Sequence, residues 1–260
     1  AIPILSAMGV QCCPLPTAFL STHTGGFEGF TFLDMTDEMP KVADHWASLG
    51  LTFQAIYSGF LGSARQIGIV EDFIRRFRRP DTVVVVDPVM GDFGRIYQTY
   101  TAAMCGGMAR LAELADVITP NLTEAALLLG QPYETLPAGE DFLRQITERL
   151  SLEGRRSVVL TGASLAPGQT GAVCFDARTG QTQVVQTAYI AHEFHGTGDV
   201  FSSVLTGALV RGASLAEAAG EAAGFVRACA ERTAAEDLPM REGVDFEPLL
   251  GLLIPGKEAL

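Results

Sequence analysis

Residues 196–199 read Gly-Thr-Gly-Asp and run directly into the apolar stretch VFSSVLTGALV. Two glycines let a backbone turn sharply and present consecutive N–H groups, and a helix starting there adds its positive N-terminal end. That combination cradles an anion without any lysine. A carboxylate at Asp199, beside a transferring phosphoryl group, accepts the proton of an attacking hydroxyl. A plain glycine turn with Asp199 as helix N-cap accounts for the same residues. The string is not a dinucleotide fingerprint, because Phe201 stands where that pattern needs its last glycine.

Other candidates follow short apolar runs. Asp87-Pro88-Val89-Met90-Gly91-Asp92 comes after VVVV, and its two carboxylates suit Mg²⁺ or another cation. The alternative is a strand-ending turn in which Pro88 holds Asp87 extended. Asn121-x-x-Glu124, in Thr119-Pro120-Asn121-Leu122-Thr123-Glu124, fits a helix capping box as well as a ligand site. Thr161-Gly162 offers a hydroxyl to a phosphate or cation. The stretch Ser21-Thr22-His23-Thr24-Gly25-Gly26-Phe27 is polar and glycine-rich, suited to a flat, hydrogen-bonding substrate or to an ordinary surface turn. His45, beside Trp46, and His192 read as surface or packing residues. His195 either contacts nucleotide or packs.

These residues need a frame that brings strand ends together. Ala55–Phe60, Thr82–Asp87, Asp116–Thr119 and Ser157–Thr161 are short, rich in Val and Ile, and mostly lack polar alternation, as strands covered on both faces do. Helical patterns at Gln66–Arg78, Thr99–Leu114, Thr123–Leu129 and Glu140–Leu152 lie between them. This alternation predicts an α/β fold with a mostly parallel sheet. Gly171–Asp176 and Thr182–Ile190 flank the turn ARTGQ and predict an antiparallel edge hairpin. Ser214-x-x-Glu217 is a capping box ahead of a long Ala-rich helix. Ala1–Gly9 reads as a helix closed by Gly9, which implies a preceding strand missing from this sequence. No repeat or linker divides residues 1–260, so one domain is expected.

Composition narrows the functions. A net charge of −12 opposes a broad nucleic-acid or anionic-membrane surface, so any phosphate site is local. The only lysines, Lys41 and Lys257, sit in polar surroundings, which excludes a P-loop and a Schiff-base enzyme. Cys12, Cys13, Cys105, Cys174 and Cys229 are widely spread without C-x-x-C spacing, and each is expected to be a buried small side chain in a reducing cytoplasm. No apolar run is long enough to span a membrane.

DPVMGD, ITPNLTEA, VVLTG and HGTGDVFSS, in this order and spacing, resemble the ribokinase-like superfamily over nearly the whole chain. The STHTGG loop, with Asp at position 199 where hydroxymethylpyrimidine phosphate kinases typically carry cysteine, is similar to the pyridoxal/pyridoxamine kinase branch. The resemblance implies a three-layer α/β/α fold with an antiparallel edge hairpin, and phosphorylation of the 5′-hydroxyl of a vitamin B6 vitamer by ATP. It implies Asp199 as catalytic base and Gly196, Thr197 and Gly198 as anion hole. Asp87 and Glu124 would organise Mg²⁺, with Asn121, Glu124, Thr161 and Gly162 toward the nucleotide. Asp92 and Thr119 match positions near a monovalent cation such as K⁺. His23, Thr24 and Phe60 match positions beside the pyridine ring, and Arg95 helps cover the phosphates. A cytoplasmic homodimer is implied. The family's first strand, whose loop supplies a serine to the substrate, is missing. Hydroxymethylpyrimidine kinase, or a non-catalytic pyridoxal phosphate or nucleotide binder, are the competing readings.

Overall fold

The computed structural model describes residues 1–23, 27–136, 139–164, 166–190, 194–236 and 240–256. It opens with α1 (Ile2–Ala7), a hairpin of β1 (Ala18–Leu20) and β2 (Phe32–Asp34), and α2 (Met39–Ser48). Then follow β3 (Ala55–Ser58), α3 (Ala64–Phe77), β4 (Val83–Val86) and a small hairpin of β5 (Gly91–Asp92) and β6 (Arg95–Ile96). The alternation continues with α4 (Ala102–Glu113), β7 (Val117–Ile118), α5 (Leu122–Leu129), α6 (Glu140–Leu150) and β8 (Ser157–Thr161). The last third contains β9 (Gln169–Asp176), β10 (Gln181–Ala188), α7 (Thr197–Val210) and α8 (Leu215–Ala235).

The main sheet has the order β10-β9-β8-β7-β4-β3. Strands β3, β4, β7 and β8 pair in parallel, and β9 and β10 are added antiparallel at one edge. Period-two alternation sends neighbouring residues to opposite faces, and here both faces are apolar. Val84 and Val86 of β4 and Val158 and Leu160 of β8 join a core with α3, α4, α5 and α6. Val85 and Val159, between them in sequence, join a second core with α1, α7 and α8. The uninterrupted VVVV and SVVLT runs are therefore the signature of a three-layer α/β/α arrangement.

Local chemistry sets the helix starts. Ser63 caps α3 by accepting the Gln66 N–H at 3.2 Å. Asn121 with Glu124, and Ser214 with Glu217, form full capping boxes on α5 and α8. Helix α2 packs through Trp46, whose ring lies 5.7 Å from Phe53 and 6.1 Å from Phe73.

The predicted strands and helices are all present, with ends shifted. The third strand stops at Ser58 because Gly59 and Phe60 turn out of the sheet. Helix α2 and both small hairpins escaped the sequence reading. The strands of the first hairpin are three residues each, paired across a long loop, so their partner is a tertiary matter. Cys174 and Cys229 are buried as expected, but Cys12 and Cys105 are half-buried and Cys13 is exposed, Cys12 and Cys13 lying outside the strands of the sheet.

Candidate functional site

Parallel strands bring their carboxyl ends to one sheet edge, where crossing loops leave a crevice. The turn at Phe60 leaves β3 there, Asp87 leaves β4, Thr119 leaves β7 and Thr161 ends β8. Helix α7 points its N-terminus at the same place. Two contacts establish this: Ser202 of α7 donates to Asp87 Oδ2 at 3.1 Å, and a Cβ on Gly59 would lie 3.9 Å from Asp199 Oδ1.

Gly196 is the N-cap of α7, in left-handed geometry with φ 83° that disfavours a side chain. The first intrahelical bond runs from the Val200 N–H to the Gly196 carbonyl at 3.0 Å. The N–H groups of Thr197, Gly198 and Asp199 precede it and have no acceptor within the helix. A Cβ at Gly198 would meet nothing within 4 Å, so the approach to these amides is open. Asp199 sits inside the first turn rather than at the N-cap, which removes the capping reading of its carboxylate. Its side chain is reachable by solvent, yet the cleft walls desolvate it enough to raise its carboxyl above the ordinary value.

Asp87 and Glu124 are 6% and 4% exposed. Burial and the charge of Asp199 push the Asp87 carboxyl up to about 7, against hydrogen bonds from Ser202 and Thr119 that pull it down. Burial and the charge of Asp87 likewise hold Glu124 well above the usual range. Glu124 accepts the Met90 N–H at 3.1 Å and the Asn121 N–H at 2.9 Å. Carboxylates buried together suit a shared divalent ion. Among the described residues no three such side chains converge to hold a metal alone, so the fit is to an ion shared with substrate phosphates and water, as Mg²⁺ prefers.

The remaining candidates divide. Asn121 fills its capping role, accepting the Glu124 N–H at 2.9 Å while Nδ2 donates to the Gly91 carbonyl at 2.8 Å. Thr161 donates to the Pro120 carbonyl at 3.3 Å, and Gly162 follows it with φ 69°. Thr119 is 3% exposed and its hydroxyl meets Ser202 Oγ at 3.0 Å. Asp92 is instead exposed on the β5–β6 hairpin, where its Oδ1 accepts the Phe93 N–H at 2.9 Å. The charge of Asp92 still reaches Glu124 and adds to the rise of its carboxyl. Arg95 is exposed on β6.

His23 is exposed in the loop between β1 and β2. Its ring lies 5.5 Å from that of His195 and 5.0 Å from Phe27, and its Nε2 meets the Arg241 carbonyl at 2.5 Å. The loop before the anion cradle and the polar hairpin loop are therefore neighbours. Thr24, the other loop candidate, and His192 lie outside the described residues. Phe60 is half-buried beside the core under α3.

Comparison with known proteins bears on the family and the fold. The phosphomethylpyrimidine kinase family matches residues 2–243. The chain belongs to this family. A pyridoxine/pyridoxal/pyridoxamine kinase of Bordetella bronchiseptica is 31% identical over 249 residues, covering 90% of this chain and 83% of the relative. A protein of Bacteroides thetaiotaomicron assigned to the phosphomethylpyrimidine kinases, crystallised with pyridoxal, is 43% identical with a TM-score of 0.91, covering 97% of this chain and 88% of that one. The pyridoxal kinase of Lactobacillus plantarum is 31% identical with a TM-score of 0.88, covering 97% and 89%. Proteins similar to this chain thus carry the names of both pyridoxal kinases and phosphomethylpyrimidine kinases.

Sequence reasoning missed several residues of this family member's cleft. Tyr57 is held against Asp87, Asp199, Ser202 and Ser203, and burial with those two charges raises its phenol well above the ordinary value. Its only signal was an aromatic in an apolar strand. Ser202 lay within a motif already noted, but its link to Asp87 needs the packing of α7 on β4. Arg241 gave no signal, being far from the hairpin loop in sequence.

Proposed function

We propose that this chain is an ATP-dependent kinase that phosphorylates the 5′-hydroxyl of a vitamin B6 vitamer. The observation that carries this reading is Asp199 in the first turn of α7, beside open amides and facing the Gly59–Phe60 turn. The vitamer ring lies between Phe60 and the His23 loop. Its hydroxyl points at Asp199, whose raised carboxyl pKa makes it a better proton acceptor than an ordinary aspartate. Gly196, Thr197 and Gly198 form the anion hole, whose open N–H groups hold the transferring phosphoryl group and stabilise charge that develops on it. Asn121, Thr161 and Gly162 line the nucleotide side. Asp87 and Glu124 would hold Mg²⁺, which would supply positive charge to neutralise the phosphates. Asp92 and Thr119 would lie near a K⁺ ion, and no step is routed through that ion. We also propose that the protein works as a cytoplasmic homodimer.

The family's name supports a second reading, hydroxymethylpyrimidine as the acceptor, by the same mechanism. Coupled ADP release from MgATP, with pyridoxal, pyridoxamine, pyridoxine and hydroxymethylpyrimidine offered separately, distinguishes the two. Turnover on a B6 vitamer is expected, and turnover on the pyrimidine alone would move the assignment. Asp199→Asn is expected to lower kcat by roughly 10²–10⁴-fold while calorimetric ATP binding stays. Unchanged turnover in that variant would remove Asp199 from the chemistry, and no turnover on any acceptor would favour a binding protein.

A further inference from the structure

Gln66 lies in the first turn of α3 with none of its surface exposed. A buried amide needs partners for both its oxygen and its nitrogen. Its Oε1 accepts the Gly62 N–H at 2.7 Å. Its Nε2 donates to the Thr17 carbonyl at 2.8 Å, and meets Thr36 Oγ1 at 2.9 Å and Asp34 Oδ1 at 3.1 Å.

None of these partners belongs to α3. Thr17 immediately precedes β1 and Asp34 ends β2, so they are the two feet of the hairpin whose loop holds His23. The feet are further joined by the Met35 N–H, donating to the Thr17 carbonyl at 3.1 Å. Gly62 belongs to the turn that follows Phe60. Phe32 of β2 lies so close to it that a Cβ on Gly62 would come 3.3 Å from the ring. One side chain therefore ties the base of the His23 hairpin to the turn that presents Phe60.

We propose that Gln66 is a positioning residue that sets the gap between the His23 loop and Phe60, and so fits the cleft to the substrate ring. This rests on the reading of that cleft as the vitamer site. Gln66→Met keeps the bulk of the side chain and removes the amide, leaving the Gly62 N–H without its acceptor and the Thr17 carbonyl with the Met35 N–H alone. Thr36→Val is milder and removes a single hydroxyl from the cluster. A purely architectural Gln66 would lower stability and leave substrate discrimination unchanged.

The experiment measures kcat, KM for pyridoxal, KM for ATP, pyridoxal binding by calorimetry and melting temperature in the wild type and both variants. The vitamer KM and Kd are expected to rise about tenfold in Gln66→Met and less in Thr36→Val, with the ATP KM within about twofold. An unchanged vitamer KM, or a matched loss in both KM values and kcat, would overturn the proposal. Should Gln66→Met not fold, Thr36→Val decides on the same readouts. A wild type that turns over hydroxymethylpyrimidine but not pyridoxal defeats the substrate reading alone, and the same comparison is then made with the pyrimidine. A wild type that neither binds nor turns over either ring overturns both.

Discussion

Asp87 is an acid whose protonation is set by its surroundings rather than by its own chemistry. Burial and the charge of Asp199 bring its carboxyl from 3.8 to about 7. A carboxyl with a raised folded-state pKa binds more protons folded than unfolded. The stability it contributes is full below the unfolded value and is lost as pH rises through the folded one. Glu124 is shifted in the same direction. The metal-free protein is therefore expected to lose several degrees of melting temperature between about pH 4 and pH 7 through these two groups. MgATP should flatten that slope by supplying the missing positive charge. Calorimetric melting across this range checks it, and a melting temperature that rises steadily with pH would contradict the assignment. The residue types at these positions were legible in the sequence, as was their place after apolar strands. The size of the effect was not, because it depends on how near Asp199 comes when α7 packs on β4.

At the scale of elements, the segment after α8 links parts that sequence reading kept separate. Asp245 anchors it to α8, through Arg232 Nε at 2.7 Å and Thr233 Oγ1 at 2.9 Å. From there the Val244 N–H donates to the His195 carbonyl at 3.2 Å, and the Arg241 guanidinium lies 5.6 Å over the Phe27 ring. Gly243 permits this course with φ 83°, and a Cβ there would come 3.2 Å from the His195 carbonyl. Gly243→Ala is expected to cost about 1 kcal/mol from the left-handed backbone. It should also lower kcat, because His195 directly precedes the Gly196 turn. Denaturant melts and steady-state kinetics read the two effects, and a variant with wild-type kcat would show that the segment does not steady the anion cradle. The helix caps at Ser63, Asn121 and Ser214 are local rules and could be anticipated or recognised from short strings. The path of residues 240–246 obeys no local rule.

On the scale of the whole molecule, the β1–β2 hairpin bears an apolar pair that faces water. Phe19 and Leu33 are cross-strand partners, 69% and 60% exposed. Large apolar side chains paired on an exposed hairpin suit an association surface, which supports the proposed homodimer. Light scattering is expected to give twice the 27.6 kDa chain mass, falling to one chain in the double variant Phe19→Asp, Leu33→Asp. A wild type that runs as a monomer would rule this out. The sequence by itself determined the layered class, since strands buried on both faces must be apolar throughout and alternate with amphipathic helices. It also determined the candidate site, since glycines, carboxylates and an amide after successive strand ends can only converge at one edge of a parallel sheet. Only the tertiary structure decided which side chains touch. The joining of Gln66 to the hairpin feet, of Ser202 to Asp87 and of Arg241 to His23 depends on the relative placement of elements far apart in the chain, and hydrogen bonds over such separations leave no periodicity or spacing to read.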